Sequence, residues 1–238
     1  MAWNFAAQIH ALTGFDADDD STATETGDTF SLMADRWLVD AAKEIINMMP
    51  MKMKYKCSTV TNLYIGNTNT TMDLDGVGDV LQVTRENADS GYYTPCRQIE
   101  PWQGDLSNDS SSLHYATATD PVYWIESNSS NASTLFVKPT VTAAQPAKVV
   151  HVTYPPNSTS FSTEGSLLPT VSVSIDNFPD EFEHLVVLRA SITAAEYMLM
   201  TEEDPEIYLP MIQNLKQDLN QGLQALGVGV QQPQQGGG

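Results

Sequence analysis

The sequence predicts an α+β protein: a helical body, made of an N-terminal helix and a C-terminal helical hairpin, with a large β-rich insertion. Apolar residues recur every three or four positions between Thr29 and Pro50, the spacing of one helix face. They do so again in two segments between Pro179 and Leu226, joined by the acidic turn Thr201-Glu202-Glu203-Asp204. The intervening chain carries short β-branched and aromatic runs separated by Gly, Pro, Asn and Ser clusters, which is how strands and turns read. The expected organisation is a short helix and acidic linker over 1–28, a body helix over 29–50, the β-rich insertion over 51–176, the hairpin over 177–226 and an extended tail over 227–238.

Element by element, Trp3, Phe5, Ile9 and Leu12 have helical spacing, and Gly14 is a natural stop. Asp16, Asp18, Asp19, Asp20, Glu25 and Asp28 follow without a basic residue, so a flexible acidic linker is expected. Thr29 suits an N-cap; Phe30, Met33, Trp37, Ala41, Ile45 and Met48 then form one face until Pro50 ends the helix. Met51 to Cys57 alternates strictly, setting Met51, Met53 and Tyr55 against Lys52, Lys54 and Lys56, and reads as a strand or extended connection. Strands are expected at Val60–Ile65, Val80–Thr84, Val122–Ile125, Leu135–Val137, Val149–Tyr154 and Val171–Ile175. The clearest unit is a hairpin of Val122–Ile125 with Leu135–Val137 around a polar tip, Ser127 to Ser133.

In the C-terminal hairpin, Pro179 suits the first helical position, and Leu185, Leu188, Ile192, Ala195 and Leu199 step by three and four. The second helix restarts at Pro205, with Tyr208, Ile212, Leu215, Leu219, Leu223 and Leu226 on one face. Pro210 requires either a late start near Leu209 or a kinked first turn. Ordering two helices of this length outweighs what their own apolar contacts return, so the hairpin must pack on something else.

Thirty acidic against eleven basic residues give a formal charge of -19. Tight, non-specific binding to a phosphate backbone is thereby disfavoured. Any oligomer must offset the self-repulsion, and salt should promote assembly. The hydrophobic fraction of 41% supports a packed core. Residues 1–12 lack a basic segment ahead of an apolar run and do not read as a secretory signal, so synthesis in the cytoplasm is expected, with Cys57 and Cys96 as thiols. No run reaches the length of about 18 apolar residues that a membrane span needs.

Chemistry is hard to place. There is no Gly-x-Ser-x-Gly turn, and His10, His114, His151 and His184 show no metal-ligand spacing. His151, within Val149–Tyr154, reads as a strand histidine because nothing supplies its catalytic partners. Gly76-Val-Gly78 and Gly227-Val-Gly229 read as turns, and Asp73-Leu-Asp75-Gly76 as solvated charge rather than a calcium loop. No catalytic, metal or cofactor residue is nominated. Lys52, Lys54 and Lys56 hold three of the eleven basic residues and form a candidate basic contact patch, the alternative being a strand face guarded by lysines. Trp124, Leu215 and Leu219 are candidate inter-subunit contacts. The charge-free tail with Gln231, Gln232, Pro233, Gln234 and Gln235 is a candidate docking segment.

Several stretches together resemble the tailed-bacteriophage neck proteins of the head-to-tail adaptor, or connector, type. They are Asp35 to Pro50 (DRWLVDAAKEIINMMP); Tyr123-Trp-Ile125 with Leu135-Phe-Val-Lys-Pro139 and Val149 to Pro155 (VVHVTYP); and Phe178 to Leu188 (FPDEFEHLVVL) running into Ala-Ala-Glu-Tyr197. The last, followed by an acidic turn and an amphipathic helix, carries most of the likeness, and together they span about half the chain. The polar stretches Ser107–Ser112 and Ser127–Ser133 lie outside the pattern. The resemblance implies a virion protein in the neck between capsid and tail. It implies a homo-oligomeric ring, often twelvefold in such adaptors, that binds the portal protein and a downstream neck or tail protein. DNA would pass through without specific binding, no membrane is involved, and the Gln231 to Gln235 tail would dock on the portal. Other virion parts (a neck stopper, tail terminator or capsid decoration protein) remain open, as does a β-rich carbohydrate-binding module, for which Trp102, Tyr92 and Trp124 are the support.

Overall fold

The computed structural model describes residues 5–14, 29–64, 69–87, 90–127, 133–155, 175, 178–201 and 205–227. The chain is mixed α+β and divides into two compact units, one of Met1–Lys56 with Tyr154–Gly238 and one of Cys57–Thr153.

In the first unit, α1 (Phe5–Thr13) ends where Gly14 turns left-handed at φ 73°, and the Gly14 amide donates to the His10 carbonyl at 2.7 Å. Helix α2 (Thr29–Met48) buries Leu38, Val39, Ala41, Ala42, Ile45 and Ile46. Pro50 stops α2 as expected, but its carbonyl then accepts the amides of Met53 and Lys54 at 2.8 and 3.1 Å and opens a single helical turn, α3 (Met51–Lys54). A 3-10 turn, Tyr55–Cys57, follows. The expected strand over Met51 to Cys57 is therefore corrected to helix. Its alternation is real, but Met and Lys are good helix formers and the run holds no β-branched residue.

The hub of this unit is α4 (Glu183–Thr201), entered through a 3-10 turn, Asp180–Phe182, rather than directly from Pro179. It buries Leu185, Val186, Val187, Ala190, Ser191, Ile192, Ala194 and Ala195. Those positions go round the helix rather than down one stripe, because α4 packs against α1, α2 and a final helix, α5 (Pro205–Ala225). Helix α5 is helical from Pro205 with Pro210 inside it, so only the bond to the Glu206 carbonyl is forfeited. Ile212, Leu215, Leu219, Leu223 and Leu226 are buried on the expected face. Gly222 sets how closely α4 and α5 approach: a Cβ there would stand 2.3 Å from Leu185 Cδ2. Two bonds close the unit near its ends, from Tyr154 Oη to Asn47 Oδ1 at 2.5 Å and from Lys56 to Glu181.

The second unit is a pair of four-stranded sheets. Its strands are β1 (Ser58–Leu63), β2 (Thr71–Asp73), β3 (Val77–Glu86), β4 (Tyr93–Pro95), β5 (Arg97–Gln98), β6 (Val122–Ser127), β7 (Ser133–Lys138) and β8 (Ala147–Thr153). The orders are β1-β8-β3-β4 and β2-β7-β6-β5, antiparallel except for β5 with β6. The expected hairpin is present, with Trp124 opposite Phe136 and Ile125 opposite Leu135. The chain crosses from one sheet to the other at Leu74–Val77, where Gly76 has φ 69° and the Val77 amide donates to the Leu74 carbonyl. Asp73 Oδ1 accepts the Asp75 amide there, so the acidic loop is a turn.

Period-two alternation sorts the side chains into two cores. Leu63, Val83, Ala147 and Val149 of the first sheet meet Met72, Leu135 and Val137 of the second. On the far face of the second sheet, Val122 and Trp124 join Ile99, Ala116 and Phe136 under the segment from 99 to 121. The expected strand at Val171–Ile175 and the acidic linker fall outside the described residues, save Ile175.

Leu185 is fully buried, so it has no free space to yield to a new methyl. Gly222→Ala should cost about 1–3 kcal/mol by overpacking, against a gain of about 1 kcal/mol in helix propensity. The net expectation is a lower Tm by calorimetry; a higher one would show that the α4–α5 seam does not depend on Gly222.

Candidate functional site

The basic patch is built differently from its sequence reading. On a helical turn Lys52 and Lys56 share one side while Lys54 is turned away. Lys52 and Lys56 are exposed and Lys54 is half-buried. Lys56 pairs with Glu181 and lies 5.5 Å above the Phe182 ring. Beside the lysines, Met51 is 59% exposed and Tyr55 45%.

The three proposed inter-subunit residues are corrected: their side chains are buried inside their own units. Trp124 stacks on Phe136 with ring centroids 5.3 Å apart, and Gly104 approaches so closely that a Cβ would lie 2.8 Å from Trp124 Cε2. Leu215 and Leu219 line the inner face of α5. An alternating or heptad pattern marks which side of an element is apolar, but not whether that side faces its own chain or another. Residues Gln231 to Gln235 lie outside the described residues.

The exposed aromatics are elsewhere, on the lobe from 99 to 121. Two 3-10 turns, Pro101–Gln103 and Asp105–Asn108, shape it. Glu100 and Gln103 cap the first reciprocally. Gln103 Nε2 lies 3.2 Å from His114 Nε2, Trp102 meets the His114 ring edge-on at 6.2 Å, and the Ala116 amide donates to the Ser107 carbonyl at 3.0 Å. These contacts hold the two strings of the lobe side by side. Its surface leaves Trp102 69% and Leu113 97% exposed, with Leu106 and Tyr115 also open to solvent. Glu100, Asp105 and Asp109 of the lobe are exposed as well.

A groove of about 370 Å³ runs between α2, α4 and α5 over Met48, Ile192 and Leu223. Its walls are the pairs Arg189–Glu44 at 2.6 Å and Lys216–Glu196 at 2.8 Å. These pairs join residues far apart in the chain, a placement no local pattern carries. With each cation already facing a carboxylate, the walls act as straps between helices.

His151 and Arg85, buried in the β unit, have their polar atoms met within it, whereas His114 Nδ1 and Thr153 Oγ1 are buried without a hydrogen-bond partner. His151 is enclosed, with Nδ1 3.2 Å from the Val152 carbonyl and Nε2 2.9 Å from Thr61 Oγ1. A carbonyl only accepts, so Nδ1 carries the proton and Nε2 accepts from Thr61. Both nitrogens are thus held in bonds between neighbouring strand residues, the setting of a strand histidine. Arg85 is 2% exposed. Its guanidinium donates to the carbonyls of Pro139 at 2.8 Å, Glu86 at 3.3 Å and Thr140 at 3.4 Å, and to Gln145 Oε1. Burial lowers its pKa, only partly countered by Cys96. Cys57 and Cys96 are both free thiols. Burial pushes the Cys96 thiol up to about 12, with Arg85 opposing, so it is no thiolate nucleophile near neutrality.

Among the described residues no group of three or more His, Cys, Asp or Glu side chains is placed to hold a metal ion, and no helix is long and apolar enough to cross a membrane. No protein-family model matches the chain, and no curated protein matches it.

Two outcomes follow from the buried groups. Arg85→Met strands three carbonyls and an amide and should cost about 1–3 kcal/mol, with faster amide exchange over 139–145; unchanged exchange there would remove Arg85 as the anchor of that loop. The Cys96 proton is held more tightly in the folded than in the unfolded state, so stability falls as pH rises from about 9 toward 12. Thiolate absorbance of the folded protein should show Cys96 still protonated at a pH where an exposed cysteine has ionised.

Proposed function

We propose that this protein is a structural subunit of a tailed-bacteriophage neck, of the head-to-tail adaptor type. It assembles as a homo-oligomeric ring below the portal protein, meets a downstream neck or tail protein, and conducts DNA without gripping it. In this reading the α-helical unit is the body common to such adaptors and the β unit is an insertion in it. The observation that carries the proposal is the hub formed by Phe178–Tyr197. The stretch with the strongest resemblance to adaptors is also the one whose helix, α4, is buried over most of its circumference by α1, α2 and α5. Such a stretch serves architecture rather than catalysis.

Electrostatics supports the same reading. A formal charge of -19 repels phosphate over the distance that salt allows, about 8 Å at physiological ionic strength, which suits a wall that DNA slides past. The tail after Leu226 is rich in Gln and Gly and offers amide donors and acceptors for pairing with the portal. Exposed Trp102 and Tyr115 also suit a sugar-stacking face, and this is the second reading; binding of soluble glycans to the purified protein separates the two.

Negative-stain images of the protein mixed with portal-bearing capsids should show an added collar at the portal vertex. Deleting Gln231 to Gly238 should weaken that attachment while leaving the circular dichroism unchanged. Equal attachment by the truncated protein would remove the tail from the docking role, and absence of any collar with the full chain would remove the adaptor reading.

A further inference from the structure

We propose that the 99–121 lobe of one subunit receives the Met51–Tyr55 turn of a second copy of this chain, making a head-to-tail contact between subunits. The proposal rests on the reading of the protein as a ring-forming subunit and names the two surfaces that join.

The lobe sets the terms. Trp102 and Leu113, 69% and 97% exposed, are a large apolar offering, and exposed apolar clusters rimmed by polar residues mark contact sites. Glu100, Asp105 and Asp109 of the same lobe are exposed, and no Lys or Arg occurs between Arg97 and Lys138. A partner surface must therefore supply apolar side chains accompanied by positive charge. Few places in so acidic a chain can do so.

Among the described residues, exposed large apolar side chains elsewhere in the helical unit fail that test. Met200, Ile207 and Leu209 are open to solvent, but their neighbours are Glu202, Glu203 and Glu206, which would repel the lobe. The turn after α2 passes it. Met51 and Tyr55, one helical turn apart, are exposed together beside exposed Lys52, which supplies the positive charge, and Lys56, whose charge is paired with Glu181. Met is suited to adaptable apolar contacts and Trp to anchoring them. The lysines also lie across from the carboxylates by charge, which favours a defined register and suppresses lobe-to-lobe pairing. Because lobe and turn are different surfaces, the contact is heterologous, and repeating it generates a ring when the rotation closes.

The test uses full-length protein in two variants, each changed only at exposed positions. One carries Met51→Glu with Lys52→Glu, giving an acidic turn against the native acidic lobe. The other carries Asp105→Lys with Leu113→Lys, giving a basic lobe against the native basic turn. Each alone should self-associate about tenfold or more weakly than wild type in sedimentation velocity. A 1:1 mixture should recover assembly, because every mixed contact again sets acid against base. Variants that assemble as wild type, or a mixture that fails to recover, overturn the proposed contact while leaving the ring itself standing. A wild-type protein that stays monomeric with and without portal-bearing capsids overturns the ring and the contact together. As an independent check, Met51→Cys with Leu113→Cys should give disulfide-linked ladders under mild oxidation; monomers only would count against the contact.

Discussion

Burial of α4 over most of its circumference is the constraint from which the helical unit follows. A helix with one apolar stripe needs one neighbour, whereas Leu185, Val186, Val187, Ala190 and Ile192 point in directions that no single neighbour covers. Helices α1 and α2 come from the start of the chain and α5 from its end. The core of this unit therefore joins segments far apart in sequence, and the residues between must form something that leaves and returns. Cys57–Thr153 does so by folding as a compact unit of its own. The bonds at Lys56 and Tyr154, to Glu181 and Asn47, sit where that excursion begins and ends.

Within the β unit, the corresponding fixed point is Arg85. A buried guanidinium is costly unless its donors are met, and here they are met by backbone carbonyls and one amide oxygen drawn from Glu86 and the 139–145 loop. That loop links β7 of one sheet to β8 of the other, so the same side chain that closes the end of the core also positions the crossover. The neighbouring thiol of Cys96, itself half-buried, is held neutral by the same desolvation that lowers the Arg85 pKa.

Several ionisable groups are held within the chain: His151 has both ring nitrogens bonded, burial holds the proton on Cys96, and the cations over the α2–α4–α5 groove each face a carboxylate. What remains available is an aromatic lobe with an acidic setting and a methionine turn with a basic one. In a chain carrying thirty acidic and eleven basic residues, lysines beside exposed apolar side chains stand out, and the proposed contact between subunits is built on them.

The sequence by itself determined the element types wherever periodicity and residue chemistry agreed. Helix α2, the buried face of α5 and the β6–β7 hairpin were all legible, since apolar spacing and propensity point the same way there. Where they disagreed, at Met51 to Cys57, alternation suggested a strand and the Met and Lys side chains formed a helical turn instead. Local pattern also left undecided which surfaces would be spent inside the chain. Trp124, Leu215 and Leu219 look like contact residues in sequence, and only tertiary packing shows them enclosed by Gly104 and Phe136 or facing α4. The same holds for Arg85, whose partners lie more than fifty residues away, and for Trp102, left open to solvent. Periodicity records that a side chain avoids water; which neighbour removes the water is set by contacts between distant segments, and only the folded chain decides them.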